Sequence, residues 1–189
     1  AGDEYLLSYL PKLKQETFTV GASYKHFGYG HMQTWSLSYN YLNNRNLKYL
    51  NNDESSPENI ILESSALEGK AQGRFENRSY YGAWTVREGA EVNFRHYDSD
   101  VFRRISDGSS LDYATDLGFF GWGVYASADY KSPSGRLNAS AGIRADGSSF
   151  SSETAKVWKQ LSPRASVSYM PWKNWSFNAS AGLYHQLPP

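Results

Sequence analysis

Polar and apolar residues alternate along eight stretches of this chain, and the connections between them alternate between short turns and long polar loops. Between positions 122 and 130, Trp122, Val124, Ala126, Ala128 and Tyr130 share one face of an extended backbone, while Gly123, Tyr125, Ser127 and Asp129 share the other, because successive strand side chains point to opposite sides. The first face suits lipid or an apolar core; the second needs water or polar partners. The aromatic residues at the two ends stand eight positions apart, roughly 26 Å at about 3.3 Å per residue, or about 20 Å of membrane depth with a strand tilt near 40°. That depth approaches the roughly 25 Å apolar band, bounded by aromatic girdles, of outer-membrane barrels.

The other stretches repeat the pattern. The first, about 16 to 26, sets Phe18, Val20, Ala22 and Tyr24 against Thr17, Thr19, Gly21 and Ser23; the second, about 31 to 43, sets Trp35, Leu37, Tyr39 and Tyr41 against Thr34, Ser36, Ser38 and Asn40. The third, about 71 to 80, has the weakest apolar face, with Arg74, Glu76 and Arg78 on one side. In the fourth, about 84 to 104, Trp84, Val86, Ala90, Val92 and Phe94 oppose Arg87, Glu91 and Arg95, and Glu88 interrupts the apolar side. Beyond the fifth, Leu137, Ala139, Ala141 and Ile143 mark the sixth; Leu161, Pro163, Ala165, Val167 and Tyr169 the seventh; Trp175, Phe177, Ala179, Ala181 and Leu183 the eighth. Short turns are expected at 27–30, 81–83, 131–135 and 170–174, and long loops at 44–70, 105–117 and 146–159. Tyr29, Tyr80, Tyr81, Trp84, Tyr130, Tyr169, Trp172 and Trp175 gather beside the short turns, as a periplasmic aromatic girdle does.

Composition narrows the class. Aromatic residues are 16% of the 189, with 15 Tyr and 6 Trp, which are strand-forming preferences. The fold class is therefore all-β, an antiparallel up-and-down meander of about eight strands. Mean hydropathy is −0.64 and no run nears the roughly 18 apolar residues of a transmembrane helix, which excludes a helical membrane protein and leaves a barrel open. Nineteen basic and nineteen acidic residues cancel, giving no electrostatic case for nucleic acid. Cysteine is absent, so there is neither a disulfide framework nor a thiolate metal site. A soluble β-sandwich, for example a carbohydrate-binding module with exposed aromatics, would show the same period of two and stands as the alternative to a membrane-barrel wall.

Little points to catalysis. His26, His31, His96 and His185 lie in different strands, and no paired metalloprotease histidines, nucleophile elbow or phosphate loop occurs; an enzyme is not expected. Alternation puts His96, Asp98 and Asp100 on one face, where they read as the polar end of a strand rather than a metal site. Asp53, Glu54 and Glu58 lack the dense oxygen spacing of a calcium loop. Sequons at Asn77, Asn138, Asn174 and Asn178 read as chance in an Asn- and Ser-rich chain. No cofactor is implied.

Four segments carry a resemblance. They are Tyr41 to Glu54, Ala141-Gly142-Ile143-Arg144-Ala145-Asp146-Gly147-Ser148-Ser149-Phe150, Leu161-Ser162-Pro163-Arg164-Ala165-Ser166-Val167-Ser168-Tyr169, and Ala181-Gly182-Leu183-Tyr184-His185-Gln186-Leu187-Pro188-Pro189. In this order the chain resembles, over nearly its whole length, the barrel of TonB-dependent receptors, in the form common in Bacteroidetes. The resemblance implies residence in the outer membrane of a Gram-negative bacterium. It implies partners in outer-membrane lipid, a plug domain, TonB and a scarce small nutrient such as a siderophore, glycan or cobalamin. Such receptors close about 22 strands around a plugged lumen, so residues 1–189 are expected to be part of one barrel domain, without plug or signal peptide. Two cut edges would then invite association, and closure into a small eight-stranded barrel or edge pairing with a second copy is expected. On this resemblance Arg74, Glu76, Arg78, Arg87, Glu91, Arg95, Asp129, Arg144 and Arg164 face the lumen, and Tyr49, Tyr113 and Trp158 are candidate ligand contacts in the outer loops.

Overall fold

A computed structural model describes residues 10–105 and 108–185. Eight strands follow one another: β1 (Lys12–Gly28), β2 (His31–Tyr49), β3 (Ile60–Tyr81), β4 (Trp84–Arg104), β5 (Ser110–Lys131), β6 (Leu137–Ser148), β7 (Leu161–Trp172) and β8 (Trp175–Gly182). They form one sheet in chain order, β1 to β8. This is the expected meander. Since β8 is hydrogen-bonded to β7 and is not a neighbour of β1, the chain does not adopt closure into a small eight-stranded barrel.

Register in β5 to β8 shows how the alternation becomes two surfaces. Ala126 pairs with Ile143 and Ala128 with Ala141; Ile143 and Ala141 then pair with Pro163 and Ala165, and Ala165 with Ala181. One residue along, Asp129, Ser140, Ser166 and Ser180 form a row on the opposite face. A slip of one residue at any ladder would mix the two surfaces.

Among the described residues no apolar side chain is buried. Leu37 is 70% exposed and Val124 54%, yet both lie mid-strand in the apolar series. A sandwich needs two packed sheets with interdigitated inner faces; a single sheet without a buried core does not fit the soluble alternative. Ring contacts within the apolar series, Trp35 to Phe75 at 4.3 Å and Phe94 to Phe120 at 5.0 Å between centroids, tie neighbouring strands without covering them.

The strands outrun their apolar faces. The expected loop at 44–70 is strand except for 50–59, the one at 105–117 shrinks to 105–109, and that at 146–159 becomes 149–160. These extensions hold apolar residues, Ile60, Ile61 and Leu62 in β3 and Leu111, Tyr113 and Leu117 in β5, interspersed with charged and small polar ones, and the backbone ladder continues through them. Arg45 and Glu63, 2.5 Å apart on β2 and β3, are a cross-strand pair of this kind. Consequently the two connection classes overlap: 105–109 is no longer than the turn at 132–136.

Two compact units are distinguished within the chain. One comprises Ala1–Val20, Tyr39–Ala71 and Arg95–Gly118, and contains the 50–59 and 105–109 connections. The other comprises Gly21–Ser38, Gln72–Phe94 and Phe119–Pro189 and holds all four short turns. Three of these turns use glycine at positive φ, Gly30 at 74°, Gly82 at 58° and Gly135 at 70°, a region that costs other residues about 1–2 kcal/mol. Backbone bonds join successive turns, from Tyr80 N–H to the Gly30 carbonyl (2.8 Å) and from Lys131 N–H to that of Ala83 (2.9 Å). Trp84 and Tyr130 meet beside them at 4.9 Å.

Candidate functional site

The second unit gathers a charged cluster on the polar side of β3 to β6. Alternation sends Arg74, Glu76 and Arg78 of β3 to one side, and the Glu76 carboxylate receives all its partners there. Arg74 Nη2 lies 3.0 Å from Glu76 Oε2 and Arg78 Nη2 lies 3.3 Å from Oε1. Tyr125 comes from β5. Its hydroxyl accepts a hydrogen bond from Arg74 Nη2 (2.9 Å) and donates one to Glu76 Oε2 (2.7 Å). Arg74 and Arg144 both lie by the Tyr125 ring, at 5.4 and 5.9 Å from its centroid, within cation–π range. On β6, Arg144 grips Asp146 through Nε and Nη2 at 2.7–3.0 Å. Each exposed pair contributes little alone; the network orders the side chains because every member is already restrained by another.

Of the expected lumen-facing set, Arg74, Glu76, Arg78 and Arg144 are brought together here. Arg87 and Asp129 form a second pair, 2.5 Å apart across β4 and β5, and Glu91 is half-buried in β4. Arg95 is half-buried in β4. Arg164 makes no ion pair with any described residue; its Nε occupies space beside Gly142, 3.5 Å from where a Cβ would stand. The Nε atoms of Arg78 and Arg87 are buried without a hydrogen-bond partner among the described residues. The sequence reading missed Tyr125, Asp146 and Gly89. An aromatic amid Gly123, Ser127 and Asp129 on a polar face was the signal for the first.

The loop aromatics are placed differently. Tyr49 ends β2 half-buried, Tyr113 is exposed at the start of β5, and Trp158, 70% exposed, sits in the short helical turn Val157–Gln160. Tyr49 and Tyr113 belong to the first unit and Trp158 to the second. The 149–160 connection is internally knit: Thr154 is buried, its Oγ1 donates to the Ser151 and Ser148 carbonyls (3.0 and 3.2 Å), and Ser148 N–H bonds the Thr154 carbonyl (3.0 Å). Glu153 is held by Lys156 and, at 2.8 Å, by Lys159. These hydrogen bonds pull its carboxyl down to about 2.

His96 faces Asp116 at 3.6 Å, and no group of three or more His, Asp or Glu residues able to hold a metal is found among the described residues. In the 50–59 loop, hydrogen bonds from the Ser55 hydroxyl and then from its N–H (2.9 Å) lower the pKa of the Asp53 carboxyl, while Glu54 pairs with Lys12. Their carboxylates are directed to separate partners. Asn77, Asn138 and Asn178 lie in strands and Asn174 in a turn. Leu187-Pro188-Pro189, at the end of the fourth resembling segment, lies outside the described residues.

Residues 2–189 match the family described as TonB dependent receptor-like, beta-barrel. No curated protein sequence matches. Among solved structures, the copper transporter OprC aligns with a TM-score of 0.68 at 13% identity, over 94% of this chain and 30% of that one. The RagAB peptide transporter aligns at 0.60 and 11%, over 87% and 21%. BauA, the ferric preacinetobactin receptor from Acinetobacter baumannii, aligns at 0.51 and 10%, over 90% and 30%. At such identities the likeness is one of fold. This chain spans a third or less of the length of each of these structures.

Proposed function

The chain belongs to the TonB-dependent receptor β-barrel family, and from that premise we propose that it forms part of the wall of a Gram-negative outer-membrane receptor taking up a scarce nutrient, with energy relayed through TonB. The observation that carries this reading is the two-sided sheet. In the second unit one face leaves Leu37, Val92, Val124 and Phe177 exposed, and an exposed apolar surface on this scale calls for a lipid or protein covering. The other face carries paired charges, including Arg74, Glu76, Arg78, Arg87, Asp129 and Arg144, which lipid would not solvate. Lipid outside and a water-filled, plug-bearing lumen inside satisfy both.

In this reading the nine charged residues line the lumen, and the buried Nε atoms of Arg78 and Arg87 take water or the plug's polar surface. The role is transport, not catalysis. The solved relatives are described as handling copper, peptide and ferric preacinetobactin. One wall architecture thus serves dissimilar cargo, and specificity belongs to the loops and plug. We assign Tyr49, Tyr113 and Trp158 to ligand contact. The edges β1 and β8 take further strands of the same wall or, in the 189-residue chain alone, a second copy.

Uptake by the source cell tests the proposal. Using labelled siderophore, cobalamin, oligosaccharide, peptide and copper in turn, deletion of the gene abolishes saturable uptake of one of them, and so does loss of TonB. Uptake of all five that survives both lesions overturns the reading. Trp158→Ala raises the KM of the affected nutrient about tenfold, the effect of losing roughly 1.4 kcal/mol at one aromatic contact.

A further inference from the structure

Tyr125 and Gly89 occupy adjacent strands, and each explains the other. A Cβ built on Gly89 would stand 2.5 Å from the Tyr125 Cζ and hydroxyl oxygen and 2.6 Å from the Phe75 carbonyl oxygen. No side chain fits there. Glycine in a strand interior packs nothing and weakens the strand, so this position is defined by what passes over it. The Tyr125 ring leaves β5, crosses β4 through the gap at Gly89, and reaches β3, where its hydroxyl closes a triangle with Arg74 and Glu76 at 2.7–3.0 Å. Arg144, from β6, lies by the same ring. One side chain thus touches groups from three neighbouring strands.

We propose that Tyr125, seated in the notch of Gly89, is the positioning residue of the polar face. It holds the Arg74 guanidinium against Glu76 and keeps β3, β4 and β5 in register. The chemistry favours a phenol over other groups. Its oxygen accepts from the guanidinium and donates to the carboxylate at once, and its ring gives Arg74 and Arg144 a π-surface. Phenylalanine would keep the ring and the seat and lose both hydrogen bonds. The inference does not depend on what is transported or on which membrane holds the wall.

The test uses the full-length protein, extracted from whole cells in mild detergent and treated with phenylglyoxal, with modification of each arginine mapped by mass spectrometry. In Tyr125→Phe, Arg74 reacts about fivefold faster, the scale of one lost hydrogen bond to a charged group discounted for exposure. Arg164, which has no ion pair to lose among the described residues, keeps its rate. In Gly89→Ala the ring is displaced and Arg74 is released likewise, and combining the two changes adds less than the sum because both act through one contact. A merely space-filling tyrosine would leave Arg74 unchanged in Tyr125→Phe, and that result overturns the proposal. So does an equal rise at Arg164. If Gly89→Ala fails to fold, the phenylalanine variant decides alone.

Discussion

Two lysines converge on Glu153, holding its carboxyl at about 2 where 4.5 is ordinary. Because the folded value is depressed, the clamp stabilises the 149–160 connection fully above pH 4.5, and that contribution is lost as pH falls from there towards 2. Amide exchange at Ser148 and Ala155, whose N–H groups bond the Thr154 and Ser151 carbonyls, accelerates across that window beyond its intrinsic pH dependence. In Glu153→Gln exchange is already fast at neutral pH and shows no such step. Little of this was legible beforehand. The sequence shows Glu153, Lys156 and Lys159 as scattered loop charges, and only the turn closed by Thr154 makes them converge. Gly82 is the opposite case: beside aromatic residues at a short connection it reads as a turn from sequence alone, and its φ of 58° agrees. Gly82→Ala lowers stability by about 1 kcal/mol, measured by urea unfolding of the lipid-reconstituted protein.

At the scale of strands, alternation specifies which substitutions matter. Val124 is 54% exposed on the apolar side of β5, and Ser127 is on the other. Val124→Arg costs about 2–4 kcal/mol in a bilayer, whereas Ser127→Arg costs far less, because lipid rejects the guanidinium while water accepts it. Unfolding in vesicles reads the difference; equal costs would contradict a lipid-facing Val124. The alternation located the strands well where one face is apolar, as in β4 and β5 between Trp84 and Tyr130. It failed where apolar residues are not segregated to one face, as in the first half of Ile60–Tyr81, where Ile60, Ile61 and Leu62 follow one another and the alternation reads as loop. Glu88, which interrupts the apolar face of β4, accepts a hydrogen bond from Asn77 on β3 at 3.1 Å. A polar break in one strand is thus matched by its neighbour, a match invisible until β3 and β4 are paired.

For the molecule as a whole, the decisive property is what it lacks among the described residues: a buried apolar side chain. Stability must come from the ladders and from whatever covers the apolar face. The chain therefore stays monodisperse only with detergent or lipid and associates in plain buffer, as sedimentation will record. In vesicles of brominated lipid the fluorescence of Trp35 and Trp84, both about half exposed, is quenched. A detergent-free monodisperse monomer whose tryptophans ignore the bromines contradicts the wall reading.

The period of two determined by itself the strand count and which residues of a strand share a face, since both follow from local backbone geometry and need no partner; the order of the strands in one sheet needed their pairing. The resembling segments added the family. Tertiary structure alone decided that β8 does not pair with β1, where the strands end, which charges meet, and that Tyr125 crosses Gly89 to reach Glu76. Those depend on register between strands far apart in sequence, and alternation repeats every two residues without recording which residue of one strand stands beside which of the next.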